Sequence, residues 1–140
     1  PLQSSSAASD VYKRQTLRAV CFHKNTPVSL KNGTTVLMKD IKLGSILENG
    51  AEVYGLLTLK GDNNNPYYKI WSDKLNSFIF VTGEHKILID NNKSDIEGFK
   101  PVKEVSYALK TDICDEELSC LITSNHRIPI GEFTFWDWED

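Results

Sequence analysis

Long hydrophobic runs and an excess of either charge are both missing from this sequence. No apolar run approaches the roughly 20 residues that a membrane-spanning helix needs, and the chain does not open with the basic and then apolar order of a signal segment. The formal net charge of −3 provides no basic surface for nucleic acid or an anionic membrane. We therefore expect no nucleic acid and no membrane among the partners. Localisation stays unknown, with the cytoplasm as the default.

Cysteine is scarce and odd in number, with only Cys21, Cys114 and Cys120. An odd count argues against a disulfide framework and leaves at least one free thiol, although a bond between Cys114 and Cys120 stays open. The chain has 140 residues, of which 40% are hydrophobic and 25% charged, as in ordinary globular proteins. These values predict one domain with a core large enough to fold without disulfides.

The first 15 residues have little to bury. They are rich in Ser and Ala near the start, as disordered leaders are, and they resemble translated adaptor sequence from metagenomic assemblies. We predict that residues 1–15 are a non-native or disordered leader, a natural linker being the alternative, and that residues 16–20 end an upstream segment. Residues 21–140 are predicted to form the domain. Because the chain begins at Pro1 rather than Met, we expect it to be a piece of a longer polypeptide.

No segment carries a long helical period, and short β-branched and aromatic runs alternate with turns instead. Two Asn-Gly dipeptides predict hairpins with type I′ turns over residues 28–38 and 44–54. A loop is expected at residues 61–66, a weaker strand signal at 99–109, and a single helical turn at 114–121. Further strands are predicted at residues 53–59, 67–71, 77–81, 85–89, 121–123, 127–130 and 133–136. The expected fold class is all-β.

The first pattern with chemical potential begins at Cys21. It is Cys-Phe-x-x-x-Thr-Pro-Val-x-Leu-x-x-Gly, completed by the run from Met38 to Leu47. A cysteine taken singly is most often a small buried hydrophobe, so the significance of Cys21 depends on the residues that follow it.

The second pattern is Thr82-Gly83-Glu84-His85. In a segment that passes from strand to turn, two residues three apart can present a hydroxyl and an imidazole to one peptide bond. Histidine is the side chain best suited to move a proton near neutral pH. Alone the spacing is weak, because a histidine in a loop is more often solvated.

Together, in this order and at this separation, the two patterns resemble the N-terminal block and the second sequence block of Hint (hedgehog/intein) domains. The resemblance covers about residues 19–140 and implies the family's horseshoe of many short strands and bent hairpins with pseudo-twofold symmetry. It also implies catalytic roles for Cys21 as nucleophile and for Thr82 and His85 at the peptide bond before it.

The region from Ser119 to Gly131, with the aromatic and acidic run after it, resembles the C-terminal strands of the same family. Splicing inteins end in His-Asn before Cys, Ser or Thr, whereas this chain has Asn125-His126 in the reverse order. The resemblance therefore implies cleavage at the N-terminal junction, with an intein truncated at its C-terminus as the alternative. His126 is included among the catalytic residues and Asp137 is a possible assistant; a turn histidine and a solvated carboxylate stay open as readings of these two.

The activity implied by the resemblance is a single turnover of the chain on itself. Cys21 attacks the Val20 carbonyl, the peptide becomes a thioester, and water or a small thiol releases the upstream polypeptide. The partner is then the chain's own flanking polypeptide; no cofactor is required, and we expect a monomer. Two alternatives are a catalytically silent Hint-fold binding module and a zinc site. The zinc site would use Cys21, Cys120, His85 and His126. The sequence has no Cys-x-x-Cys pair, the spacing that commonly marks a structural zinc site.

Overall fold

A computed structural model describes residues 20–61, 65–93 and 96–138 of the chain. Within these residues there are eleven β-strands and three single 3-10 turns, and no helix is long and apolar enough to cross a membrane. The strands are β1 Pro27–Ser29, β2 Thr35–Leu37, β3 Val53–Lys60, β4 Tyr67–Ser72, β5 Ser77–Thr82, β6 Lys86–Leu88, β7 Phe99–Pro101, β8 Ala108–Lys110, β9 Glu117–Thr123, β10 Arg127–Ile130 and β11 Phe133–Trp136. The 3-10 turns are Met38–Asp40, Ile96–Gly98 and Val102–Glu104. The predicted all-β class is confirmed, while the predicted leader lies outside the described residues.

The segment at Phe22 joins two groups of strands into one sheet. On one side β5 pairs with β4 and β4 with β8; on the other, β9 pairs with β3 along seven residues of β9. Phe22 forms antiparallel bridges to Val81 of β5 and to Ser119 of β9. The order across the sheet is therefore β8-β4-β5, the Phe22 segment, then β9-β3, and the residue before Phe22 lies near the middle of the sheet.

A second antiparallel sheet has the order β10-β11-β6-β7. Its inward side chains pack with those of the first sheet around Phe22, whose ring meets Phe135 edge-on at a centroid distance of 5.0 Å. Edge-to-face packing is the favourable arrangement for two aromatic rings. The strand pattern predicted for residues 127–136 is confirmed as β10 and β11.

Both predicted Asn-Gly turns are present, but neither is of type I′. Within each turn only the glycine has a positive φ, +91° at Gly33 and +88° at Gly50, whereas a type I′ turn needs a positive φ at two central residues. Each turn is a three-residue loop in which an Asn side chain accepts a hydrogen bond from the backbone two residues on. The extra residue makes the loop longer than a type I′ turn allows, and glycine occupies the single left-handed position.

The helical turn predicted at residues 114–121 is wrong, because β9 begins at Glu117. Four consecutive residues, Leu118 to Leu121, are buried, since β9 has the Phe22 segment on one edge and β3 on the other and is covered on both faces. Burial of both faces removes the alternation of polar and apolar residues that marks a half-exposed strand.

Candidate functional site

Cys21 lies at the centre of the first sheet with its backbone fully engaged. Its N–H donates to Thr82 Oγ1 at 3.0 Å, and its carbonyl accepts from the Thr82 N–H at 3.0 Å. The Cys21 nitrogen belongs to the Val20–Cys21 peptide bond. A buried hydroxyl of Thr82 therefore holds the nitrogen of that bond, and both residues are shielded from solvent.

The Thr82–His85 sequence forms a tight turn at the end of β5. The His85 N–H donates to the Thr82 carbonyl at 3.2 Å, which is the three-residue contact of a β-turn. Two backbone hydrogen bonds from a distant segment stabilise the turn. The His85 carbonyl accepts from Val102 N–H at 2.7 Å, and the Gly83 carbonyl accepts from Lys103 N–H at 3.0 Å. The expected strand-to-turn geometry is present, with the Thr82 hydroxyl on the Cys21 nitrogen and the His85 ring against Phe22.

The His85 ring is buried, with 1% of its surface exposed. It packs against Phe22, with ring centroids 4.4 Å apart, and meets Phe135 edge-on at 5.9 Å. Its Nε2 lies 2.6 Å from the Trp136 carbonyl oxygen. Since a carbonyl only accepts, Nε2 carries the proton and donates it to Trp136.

Burial lowers the pKa of His85 to about 4, although the backbones of Trp136 and Val20 oppose this by favouring the protonated ring. The imidazole is therefore neutral at pH 7, and its Nδ1 carries a lone pair. Nδ1 has no partner of ordinary hydrogen-bond geometry within the described part of the chain. A basic nitrogen in a buried ring, with the Val20 backbone close enough to raise the pKa of that ring, is suited to receive and return a proton.

Cys120 is a neighbour of Cys21 that the sequence patterns did not assign a catalytic role. It is buried, and burial together with hydrogen bonding to the Cys21 side chain raises its pKa. Its thiol donates to the Leu121 carbonyl with a sulfur-to-oxygen distance of 3.7 Å. Cys21, Cys114 and Cys120 are all free thiols, so the Cys114–Cys120 bond left open above is not formed.

His126 occupies a different position from His85. It lies in the turn before β10 with a φ of +63°, and its ring stacks on Trp136 with centroids 5.1 Å apart. Its Nδ1 is 3.1 Å from Asp137 Oδ2, and that same oxygen accepts the Thr123 N–H at 2.9 Å. His126 is thus a turn histidine, but Asp137 is 3% exposed, so the reading as a solvated carboxylate is wrong.

Three of the four residues expected at the site come together directly: Cys21, Thr82 and His85. His126 reaches it only through Trp136, whose ring it contacts and whose carbonyl binds His85. Sequence reasoning missed the carbonyl of Trp136, because a backbone group leaves no residue signature. It did not place Cys120 beside Cys21, because pairing between segments far apart in the chain leaves no local pattern.

The alternative zinc site lacks its ligand set. Among the residues that the structure describes, no three His, Cys, Asp or Glu side chains are grouped so as to hold a metal ion. A stable zinc site in a protein normally needs at least three such ligands.

Comparison with solved structures shows which fold this is. The chain is similar to a DnaB intein from Synechocystis sp. PCC 6803, with a TM-score of 0.60 and 15% identity over 86% of this chain and 100% of that one. The chain has a Hint/intein-type fold. The MchDnaB-1 intein gives a TM-score of 0.61 at 14% identity over 85% of this chain and 100% of that one. For the gp41-1 intein the TM-score is 0.54 at 18% identity, with 85% and 99% covered.

The Hint resemblance drawn from the Cys21 and Thr82–His85 patterns is thereby confirmed at the level of the fold. No family model and no curated protein matches the chain. At identities below 20% the Hint fold does not by itself carry an activity. The chemistry has to be argued from the residues around Cys21.

Proposed function

We propose that this Hint-fold chain is an autoprocessing domain that cleaves the Val20–Cys21 bond by an N-to-S acyl shift. The observation that carries the proposal is the engagement of this one peptide by two buried groups. The Thr82 hydroxyl binds its nitrogen at 3.0 Å, and the Val20 backbone lies close enough to the His85 ring to raise its pKa.

In the first step, the Cys21 sulfur bonds to the Val20 carbonyl carbon while the bond from that carbon to the Cys21 nitrogen breaks. The thiol proton passes to Nδ1 of His85 and from there to the departing nitrogen, which becomes a free amine. A protonated His85 gives up its proton readily, because its pKa is about 4. The sulfur and the carbonyl belong to adjacent residues, so little entropy is lost in bringing them together.

Thr82 controls the nitrogen during this step. In the intact peptide the nitrogen donates to Oγ1; once the carbon–nitrogen bond weakens, the nitrogen gains a lone pair and the same hydroxyl can turn to donate to it. The Trp136 carbonyl keeps the Nε2 proton of His85 in place, which reserves Nδ1 for proton transfer. The substrate is the chain's own upstream segment, and water or a small thiol completes cleavage of the thioester.

Hydroxylamine and mass spectrometry test the proposal on the 140-residue chain. We expect hydroxylamine to yield a fragment that begins at Cys21 and an upstream peptide that ends in a Val20 hydroxamate. Cys21→Ala should give neither product, whereas Cys114→Ser should cleave like the parent and serves as the matched thiol control. Cleavage of the Cys21→Ala chain at the same bond, or no cleavage of the parent, would contradict the proposal. The second result would favour the silent binding module.

A further inference from the structure

The fold pairs Cys21 with a second thiol across two antiparallel segments. Phe22 and Ser119 exchange both backbone hydrogen bonds, 2.8 Å from Phe22 N–H and 2.9 Å from Ser119 N–H. The next positions inward are Cys21 and Cys120, which therefore face each other as a non-hydrogen-bonded pair on the opposite side of the sheet from Phe22 and Ser119. Such pairs have Cα atoms only about 4.5 Å apart, closer than hydrogen-bonded pairs.

This spacing lies within the range of roughly 4.4–6.8 Å between the Cα atoms of disulfide-bonded cysteines. Both residues are buried, at 0% and 1% exposure, and both are free thiols. Cys114, the third thiol, lies outside β9, in the loop that leads to Glu117. The arrangement thus distinguishes one pair from the two other possible pairings.

We propose that Cys21 and Cys120 form a reversible disulfide that masks the nucleophile and stops self-cleavage. The pairing itself needs only the sheet geometry; its effect on cleavage rests on the proposed function of Cys21. While the disulfide exists, the Cys21 sulfur is bonded to the Cys120 sulfur, so it cannot form the thiolate that attacks the Val20 carbonyl. Reduction returns both thiols.

A small cyclic disulfide is the oxidant class that fits the chemistry. The Cys21 thiol loses its proton and attacks one ring sulfur, which opens the ring to a mixed disulfide with a tail thiol. The Cys120 thiol then loses its proton, attacks the Cys21 sulfur, and displaces the reagent as a dithiol. Two protein thiols are oxidised to one disulfide, and one reagent disulfide is reduced to two thiols, so that protons and electrons balance.

The environment of Cys120 supports its part as the second thiol rather than the first. Burial, the Cys21 side chain and the charge of Asp137 all raise the pKa of Cys120, and a protonated thiol is a poor nucleophile toward a reagent in solution. Once Cys21 carries a mixed disulfide, the adjacent position of Cys120 supplies the high effective concentration that compensates for this weakness.

Lipoic acid, a cyclic disulfide, is the probe for the test. The full chain is incubated with excess lipoic acid, desalted, alkylated with N-ethylmaleimide under denaturing conditions and digested for mass spectrometry. We expect alkylation only at Cys114 and a peptide that links Cys21 to Cys120. Hydroxylamine cleavage of the oxidised chain should fall at least tenfold, and a phosphine reductant, which does not cleave thioesters, should restore it.

Two variants serve as controls. Cys114→Ser should behave like the parent in every step. Cys120→Ser should keep its hydroxylamine cleavage after lipoic acid treatment, because the tail thiol of a mixed disulfide at Cys21 recloses the ring and leaves. Three alkylated cysteines in the treated parent, a link through Cys114, or full cleavage of a chain that contains the Cys21–Cys120 link would each overturn the inference. A correct link in a chain that never cleaves when reduced would instead overturn the proposed function alone.

Discussion

Thr82 illustrates how much of the site depends on single atoms. Its Oγ1 accepts the Cys21 N–H inside the protein, where a buried donor without a partner is costly. The same oxygen binds the nitrogen of the bond that we propose is cleaved. The Thr82 hydroxyl therefore contributes both to stability and to the proposed cleavage. A substitution that keeps the shape of the side chain but removes the hydroxyl isolates the contribution of that group.

We predict that Thr82→Val destabilises the domain by about 1–3 kcal/mol, because the Cys21 N–H loses its acceptor. Hydroxylamine cleavage should also slow by about tenfold or more, the equivalent of one hydrogen bond at the departing nitrogen. Urea unfolding and mass spectrometry measure the two effects. Thr82→Ser is the control and should retain most of both properties; equal losses in the Ser and Val variants would show that the hydroxyl does not act as described.

The strands and the turn around Cys21 differ in how well the sequence predicts them. β4 and β5 form a hairpin with strong local β-propensity, and both were predicted within a residue or so. The sequence predicted only the last three residues of β9, 121–123, and missed its first four, because the strand is buried on both faces and its pattern does not alternate. The Thr82–His85 turn lies between these cases: its residue types were recognised, but the contacts that secure it come from residues 102 and 103.

The turn has little room for a side chain at Gly83. A Cβ there would lie 2.7 Å from Tyr68 Cε1, and Tyr68 belongs to β4, which is paired on both edges. We predict that Gly83→Ala shifts the turn, lowers stability by about 1–3 kcal/mol, and slows cleavage because Thr82 and His85 move together.

The steric origin of this effect can be checked by rescue. Adding Tyr68→Val to Gly83→Ala removes the ring atoms that clash and should recover most of the cleavage rate. Gly55→Ala is the matched control, because the nearest atom to its Cβ would be the Ile122 Cδ1 at 3.2 Å, the far end of a flexible side chain. If Tyr68→Val fails to rescue, the clash is not the cause.

At the scale of the whole molecule, the burial of His85 requires both sheets. Phe22 from the first sheet and Phe135 from the second enclose the ring, and this burial keeps it neutral although the Trp136 carbonyl favours the protonated form. The folded pKa of His85 is about 4, compared with 6.5 for an unperturbed histidine. Below about pH 6.5 the unfolded chain therefore binds a proton at this residue that the folded chain does not bind until about pH 4.

Because the unfolded state binds more protons in this window, stability should fall as the pH decreases from 7 to 4. His85 alone accounts for a loss of about 3 kcal/mol, on the order of 1.4 kcal/mol for each unit of pKa shift. Urea unfolding at a series of pH values measures the loss. Carboxylates also make stability depend on pH, and the His85→Gln variant measures their share. Its stability should fall less between pH 7 and 4, by the amount attributed to His85. Parallel curves for the two chains would contradict the low pKa of His85.

The sequence by itself determined the all-β class, most of the strands, and the candidates Cys21, Thr82 and His85, because the strands depend on local propensity and the candidates on two short patterns and their order in the chain. Tertiary structure alone decided that Cys120 faces Cys21, that the Trp136 carbonyl fixes the His85 proton, and that Asp137 is buried. The physical reason is separation along the chain. These contacts join residues from about ten to about one hundred positions apart through sheet pairing and burial, and neither leaves a local pattern in the amino-acid sequence.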